Sequence, residues 1–171
     1  MDALEMLFNR KSVRHFTGAA VSREALETLL RAGMAAPSAV NKQPWAFIAV
    51  TRRDILDRLA EGLPYAKMLD KAGAAIVVCG LEEKANAGMR EYVIIDCSAA
   101  TENILLAAEA LGLGAVWTAA YPRPEREAWV RTVLGLPENV VPLCVIPVGH
   151  PTGEDRPKDK FNPANIHWER W

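Results

Sequence analysis

Apolar residues recur at helical spacing along much of the chain and form unbroken runs in two places. Leu4, Leu7 and Phe8 stand at i, i+3 and i+4 and predict a short helix over residues 2–9. Ser22 reads as an N-cap, and Leu26, Leu29, Leu30 and Met34 form the buried stripe of a second helix, closed by Gly33 and Pro37. The segment 36–45 is a polar loop held by two prolines, and Phe47 to Val50 is a short strand. Residues 52–61 are helical until Leu63–Pro64 breaks them. Ala74 to Cys79 is a continuous apolar strand, the pattern of a strand buried on both faces. Residues 82–90 read as a loop.

The longest predicted helix runs from Tyr92 to Leu111. Its polar positions are few and it is apolar almost all round, which places it in a core or an oligomer interface. Gly112 ends it, and Gly114 to Thr118 is a strand. Pro124 opens another helix that Gly135 stops near Leu134. Val140 to Val148 is the last strand, with Pro142 and Pro147 marking its ends or edges. The tail from His150 has no periodicity, yet it carries Ile166, Trp168 and Trp171, which are expected to pack on something, a partner subunit included. This order of elements predicts an α+β sheet with helices on its faces.

Composition narrows the class. The chain has 171 residues, 50% of them hydrophobic and 24% charged, with 20 basic against 21 acidic residues and a net charge of -1. Those values exclude disorder and low complexity, and the balance argues against a protein that coats nucleic acid. Cys79, Cys97 and Cys144 sit in apolar runs without metal-ligand spacing and read as small hydrophobes in a reducing cell. His15, His150 and His167 show no metal-like spacing either. The N-terminus lacks the apolar core of a signal peptide, and no stretch is apolar enough to span a bilayer, so a soluble cytoplasmic protein is expected.

Four segments are candidates for chemistry. Arg10, Lys11, Ser12 and Arg14 gather three cations and a hydroxyl that suit an anionic, hydroxyl-rich ligand, though a solvated basic turn has the same composition. In the loop, Pro37, Ser38, Ala39, Asn41 and Gln43 join restricted backbone to hydrogen-bonding groups able to read the edge of a flat heterocycle, or simply to close a turn. Ala119 and Ala120 follow a strand and are small enough for backbone amides to approach a ligand, or simply to pack closely. The Gly112-Leu-Gly114 motif before them lacks the third glycine and the following helix of a dinucleotide fingerprint. Arg156, Lys158 and Lys160 alternate in the tail and can reach a phosphate, though a solvated tail has the same composition.

Taken together and in this order, these segments resemble the nitroreductase family of FMN-dependent oxidoreductases. Arg10-Lys-Ser-Val-Arg-His-Phe16 is similar to the family's R-R-S-x-R-x-F, with Lys11 for the second arginine. Ala36-Pro-Ser-Ala-Val-Asn-Lys-Gln-Pro-Trp-Ala-Phe47 is similar to its A-P-S-x-x-N-x-Q-P-W-x-F loop. The stretch from Asp96 to Trp117 resembles its long helix and following strand, and Val145 to Lys160 its closing strand and basic tail, with His150 for a frequent tyrosine and Lys160 for a frequent arginine. The resemblance covers nearly the whole chain.

The resemblance implies a central, mostly antiparallel sheet flanked by helices, assembled as an intertwined homodimer. It further implies a flavin-binding domain over residues 1–150 and an arm, 151–171, that packs on the partner. FMN is the implied cofactor and NAD(P)H the implied co-substrate. Arg10, Lys158 and Lys160 match phosphate and ribityl contacts, Lys11 and Ser12 the adjoining segment, and Arg14 a cation near flavin N1. Pro37, Ser38, Ala39, Asn41 and Gln43 match a loop given to the flavin by the other subunit. Ala119 and Ala120 match the strand end beside N5, where many relatives have glycine. The implied activity is ping-pong reduction of nitroaromatics, quinones or similar small acceptors. The alternatives are a flavin-holding or regulatory module with little turnover, and a specialised flavin dehydrogenase. No acid–base residue is assigned, because the flavin performs the hydride chemistry.

Overall fold

The computed structural model describes residues 2–171. Helices α1 (Ala3–Asn9), α2 (Arg23–Met34), α3 (Arg53–Gly62), α4 (Arg90–Ala110) and α5 (Pro124–Leu134) surround strands β1 (Trp45–Val50), β2 (Ala74–Leu81), β3 (Gly114–Ala115), β4 (Thr118–Ala119) and β5 (Val140–Gly149). The sheet runs β1-β2-β5-β3, with β4 also on β5, and every pairing is antiparallel.

The unbroken apolar runs have a simple cause: both faces of the sheet are covered. Ala74, Ile76 and Val78 point into a core shared with α2 and α4, while Ala75, Val77 and Cys79 point into a second core with α3 and α5. Such alternation gives a strand no polar face to display. Helix α4 packs on the sheet and against α2, with α1 beside it, which explains its scarcity of polar positions. At the end of β2 the approach is so close that a methyl on Gly80 would stand 1.9 Å from Val93 Cγ1.

Several expectations need correction. Pro142 and Pro147 are not at an edge, because β5 is paired on both sides. Pro142 sits opposite Cys79, where the register shifts and leaves Leu143 as an extra, bulged residue. The Leu143 carbonyl then serves the chain beyond β4, accepting from the N–H groups of Ala120 and Tyr121, each at 3.0 Å. The strand expected over 114–118 is two pieces in one common register. Val116 donates to the Pro147 carbonyl, but Pro147 has no N–H to return the bond, so the ladder lapses there.

Strand β1 begins at Trp45 rather than Phe47, and α4 begins at Arg90, after two short 3-10 turns in the expected loop. Met34 does not belong to the buried stripe of α2, being 54% exposed, and Gly33 lies within that helix, pressed against Ile104. The apolar face of α1 is uncovered in the single chain, with Leu4, Leu7 and Phe8 all exposed. Phe161, Trp168 and Trp171 are likewise exposed. The chain presents 9743 Å², whereas a compact monomer of 18.8 kDa presents about 8,300 Å².

Candidate functional site

The two basic segments, some 145 residues apart in sequence, meet in space. Phe16 bridges Pro151, Thr17 N–H donates to His150 at 2.9 Å, and Thr152 N–H donates to His15 at 3.0 Å. Val13 N–H donates to the Ala115 carbonyl at 3.0 Å, which seats the segment beside β3. Asp155 completes the join. One of its oxygens, Oδ2, accepts the backbone N–H groups of Arg14 and His15 at 2.9 and 3.1 Å, and the His15 ring nitrogen Nδ1 lies 3.2 Å from both oxygens. Burial pushes the Asp155 carboxyl upward, but these hydrogen bonds outweigh it and hold the group below the ordinary aspartate value.

The result is a cleft of about 510 Å³ lined by Arg10, Lys11, Ser12, Arg14, Lys158 and Lys160, together with residues 154–157. Its cations differ in what they already hold. Arg10 Nε lies 3.1 Å from Glu102 Oε1, and Lys11 Nζ grips both oxygens of Glu109 at 2.9 and 3.0 Å. Arg156 turns back to the Gly153 and Asp155 carbonyls. Arg14, Lys158 and Lys160 form no ion pair among the described residues. The electrostatic character is therefore that of an anion site with three uncommitted positive charges.

Arg14 also borders a second cleft, of about 480 Å³, at the strand end. Ala119 lines it, with Thr118, Trp117, Tyr65 and Arg126. Ala120 does not: it is fully buried, and its N–H is bonded to Leu143. Of the two alanines, only Ala119 faces open space.

The loop residues Pro37, Ser38, Ala39, Asn41 and Gln43 line neither cleft. They form a fixed unit elsewhere on the chain. Ser38 Oγ accepts the Gln43 N–H at 2.9 Å, Gln43 Nε2 donates to Asn41 Oδ1 at 2.9 Å, and Asp96 Oδ1 accepts the Ala39 N–H at 3.0 Å. Val40, Asn41 and Gln43 hold left-handed backbone, at φ 51°, 55° and 51°. Conformations of this kind persist in non-glycine residues only where surrounding bonds impose them.

Comparison with known proteins bears on this arrangement. The family model described as "Nitroreductase family" matches residues 7–67 and 61–150. The chain belongs to the nitroreductase family. An Archaeoglobus fulgidus protein named "Putative NADH dehydrogenase/NAD(P)H nitroreductase" is 44% identical over 99% of both chains. A crystal structure carrying the same name, from Parabacteroides distasonis, superposes with a TM-score of 0.93 at 52% identity over 98% of each chain. A Desulfovibrio desulfuricans structure described as "a putative nitroreductase in complex with fmn" covers 100% of this chain and 99% of its own, with a TM-score of 0.83 at 30% identity. Membership fits the antiparallel α+β sheet.

Some residues of the site were invisible to sequence reasoning. Glu102 and Glu109 read as polar positions on a helix, and only packing of α1 and its following turn against α4 makes them partners of Arg10 and Lys11. Asp155 carried no signal, since its bonds cross about 140 residues. Arg126 lies outside every motif.

Proposed function

We propose that this chain is an FMN-dependent oxidoreductase that uses NAD(P)H to reduce small acceptors such as nitroaromatics or quinones, the two substrates taking turns at one cleft. One observation carries the reading: the two basic segments meet in an anion cleft that shares Arg14 with the aromatic cleft beside Ala119. The FMN complex of the Desulfovibrio relative supports the choice of flavin, and the Archaeoglobus relative's name supports NAD(P)H. FMN, when bound, would supply the two-electron hydride chemistry.

The chain's own part is to hold and tune. An FMN phosphate carries about -1.5 to -2 charges near neutral pH, which Lys158 and Lys160 match while Arg10 adds donors. Lys11, bound to Glu109, fixes the segment that presents Ser12. Arg14, shared by both clefts, would supply positive charge to a bound flavin, which gains negative charge on reduction. Ala119 is the small residue that leaves room for a planar ring.

The same reading assigns a homodimer. Pro37, Ser38, Ala39, Asn41 and Gln43 line neither of these two clefts in their own chain, and we assign them to the flavin of the partner. Residues 1–150 form the flavin-binding domain, and residues 151–171 form an arm whose exposed Phe161, Trp168 and Trp171 are covered by the second copy. No helix among the described residues is long and apolar enough to cross a membrane. Three buried free thiols and the use of NAD(P)H favour a cytoplasmic setting.

The test is direct. Purified protein is expected to be yellow, to release FMN on denaturation, and to have a mass by light scattering of about twice 18.8 kDa. Anaerobic NADH or NADPH should bleach it, and added menadione should restore the colour. Colourless protein that takes up no added FMN overturns the reading, and a monomer overturns the assignment of the loop. A yellow protein that neither nucleotide bleaches is a flavin-holding module instead.

A further inference from the structure

The cleft beside Ala119 has a charge pattern that flavin binding alone does not use. Arg14, Lys67 and Arg126 line it, and no aspartate or glutamate does. None of the three forms an ion pair among the described residues. Lys67 is partly committed, donating to the Ala60 carbonyl at 2.9 Å. The Arg126 guanidinium is barely committed: its one hydrogen bond among the described residues is a long one, 3.4 Å from Nη1 to the Ala119 carbonyl. Its guanidinium instead lies 5.2 Å from the centroid of the Tyr65 ring, and that ring is 72% exposed.

The position of Arg126 is costly. It stands in the first turn of α5, where the helix dipole disfavours a cation. Of the two acidic residues in the same turn, Glu125 forms no ion pair with Arg126 among the described residues, and Glu127 is bonded to Arg90 at 3.0 Å. The half-buried guanidinium has no anion, and its contact with the Tyr65 face offsets part of that cost while leaving N–H donors open. Its planar fork is suited to a carboxylate, a sulfonate or a phenolate on a flat molecule lying beside Tyr65 and Trp117.

We propose that this cleft selects planar electron acceptors bearing an anionic group, and that Arg126 is the residue that sets the selection. The inference rests on the flavin reading above and names the acceptor class of that same site. A competing source of anionic chemistry is the diphosphate of NAD(P)H, so the test separates the two.

Turnover is compared for 4-nitrobenzoate and its neutral methyl ester in the holoenzyme and in Arg126→Gln and Arg126→Lys. In each reaction NADPH and one proton from solvent convert the nitro group to nitroso, giving NADP+ and water. The intrinsic reactivities of the two acceptors cancel when the ratio of their kcat/KM values is compared between variants. The ratio is expected to fall about tenfold in Arg126→Gln and to recover substantially in Arg126→Lys, which keeps the charge. Calorimetry gives a readout free of turnover: 4-hydroxybenzoate should bind the wild-type holoenzyme about tenfold tighter than 4-hydroxybenzamide, and Arg126→Gln should lose that preference.

An unchanged acceptor ratio in Arg126→Gln overturns the proposal. So does a rise in KM for NADPH alone, which assigns the guanidinium to the dinucleotide. Equal binding of the benzoate and the benzamide by wild type also overturns it. Failure of the flavin reading looks different, since such a protein holds no FMN and reduces neither acceptor.

Discussion

Asp96 on α4 accepts the N–H of Ala39 through Oδ1 at 3.0 Å, tying the long helix to a loop 57 residues earlier. The carboxylate is buried, 3% exposed, and its other oxygen has no hydrogen-bond partner among the described residues. A buried polar atom in that state costs free energy, and the bond from Oδ1 to the loop offsets part of that cost.

That relationship predicts that Asp96→Ala releases the loop. The Ala39 amide should lose its protection from hydrogen exchange, and stability should fall by about 1–3 kcal/mol. Asp96→Asn keeps an acceptor for Ala39 and should fall between the variant and wild type. Denaturant unfolding and exchange rates check both, and an alanine variant as stable and as protected as wild type rules the anchor out.

Asp155 gives a prediction with a pH sign. Its folded-state carboxyl titrates below the ordinary aspartate value, so it stabilises the fold above that value, near pH 4, and the contribution is lost as pH falls through the folded value. Asp155→Asn should therefore unfold at a lower temperature than wild type at pH 7, and the gap should close in acid below pH 4. Thermal melts across that range decide it. A gap that stays constant with pH would mean that the charge is irrelevant.

The anion cleft predicts a division of labour. Lys158→Gln with Lys160→Gln should weaken FMN retention by about tenfold or more, and the loss should shrink at high salt, because exposed charges are screened. Arg14→Ala should retain FMN better than that double variant yet lower the flavin's reduction potential. Fluorescence titration measures the first effect and anaerobic dye-equilibrated reduction the second. An unaltered potential removes Arg14 from its role.

The three thiols offer a test of the core. Burial pushes Cys79, Cys97 and Cys144 each up to about 12, so almost no thiolate is present at neutral pH. Native protein should leave a disulfide reagent unreacted at pH 8, and three equivalents should react once the chain is unfolded. Rapid labelling of the native protein would show that the cores in which these thiols sit open easily.

Helices α2 and α3 are readable as amphipathic patterns, and α2 and α5 by a local start or stop. Ser22 caps α2 through the Ala25 N–H, and Gly135 ends α5 in left-handed backbone, as their sequence positions predict. The prolines of β5 were misread for a reason that is not local. A proline suits a central strand only if its missing N–H falls at a bulge or a lapse in pairing, and pairing is not written in the neighbouring residues. Met34 was misread likewise, since helical spacing cannot say how far a covering layer extends.

The order of motifs along the chain was enough to determine the family and to name two basic segments and a loop as the chemical parts. Tertiary structure decided which parts meet. It brought Arg10–Arg14 to Lys158 and Lys160, committed Lys11 to Glu109, withdrew Ala120 into the core and set Arg126 beside Ala119. Residue type and short spacing fix what a segment is able to bond. Contacts across a hundred residues, each satisfied or left open by packing, fix what it does bond.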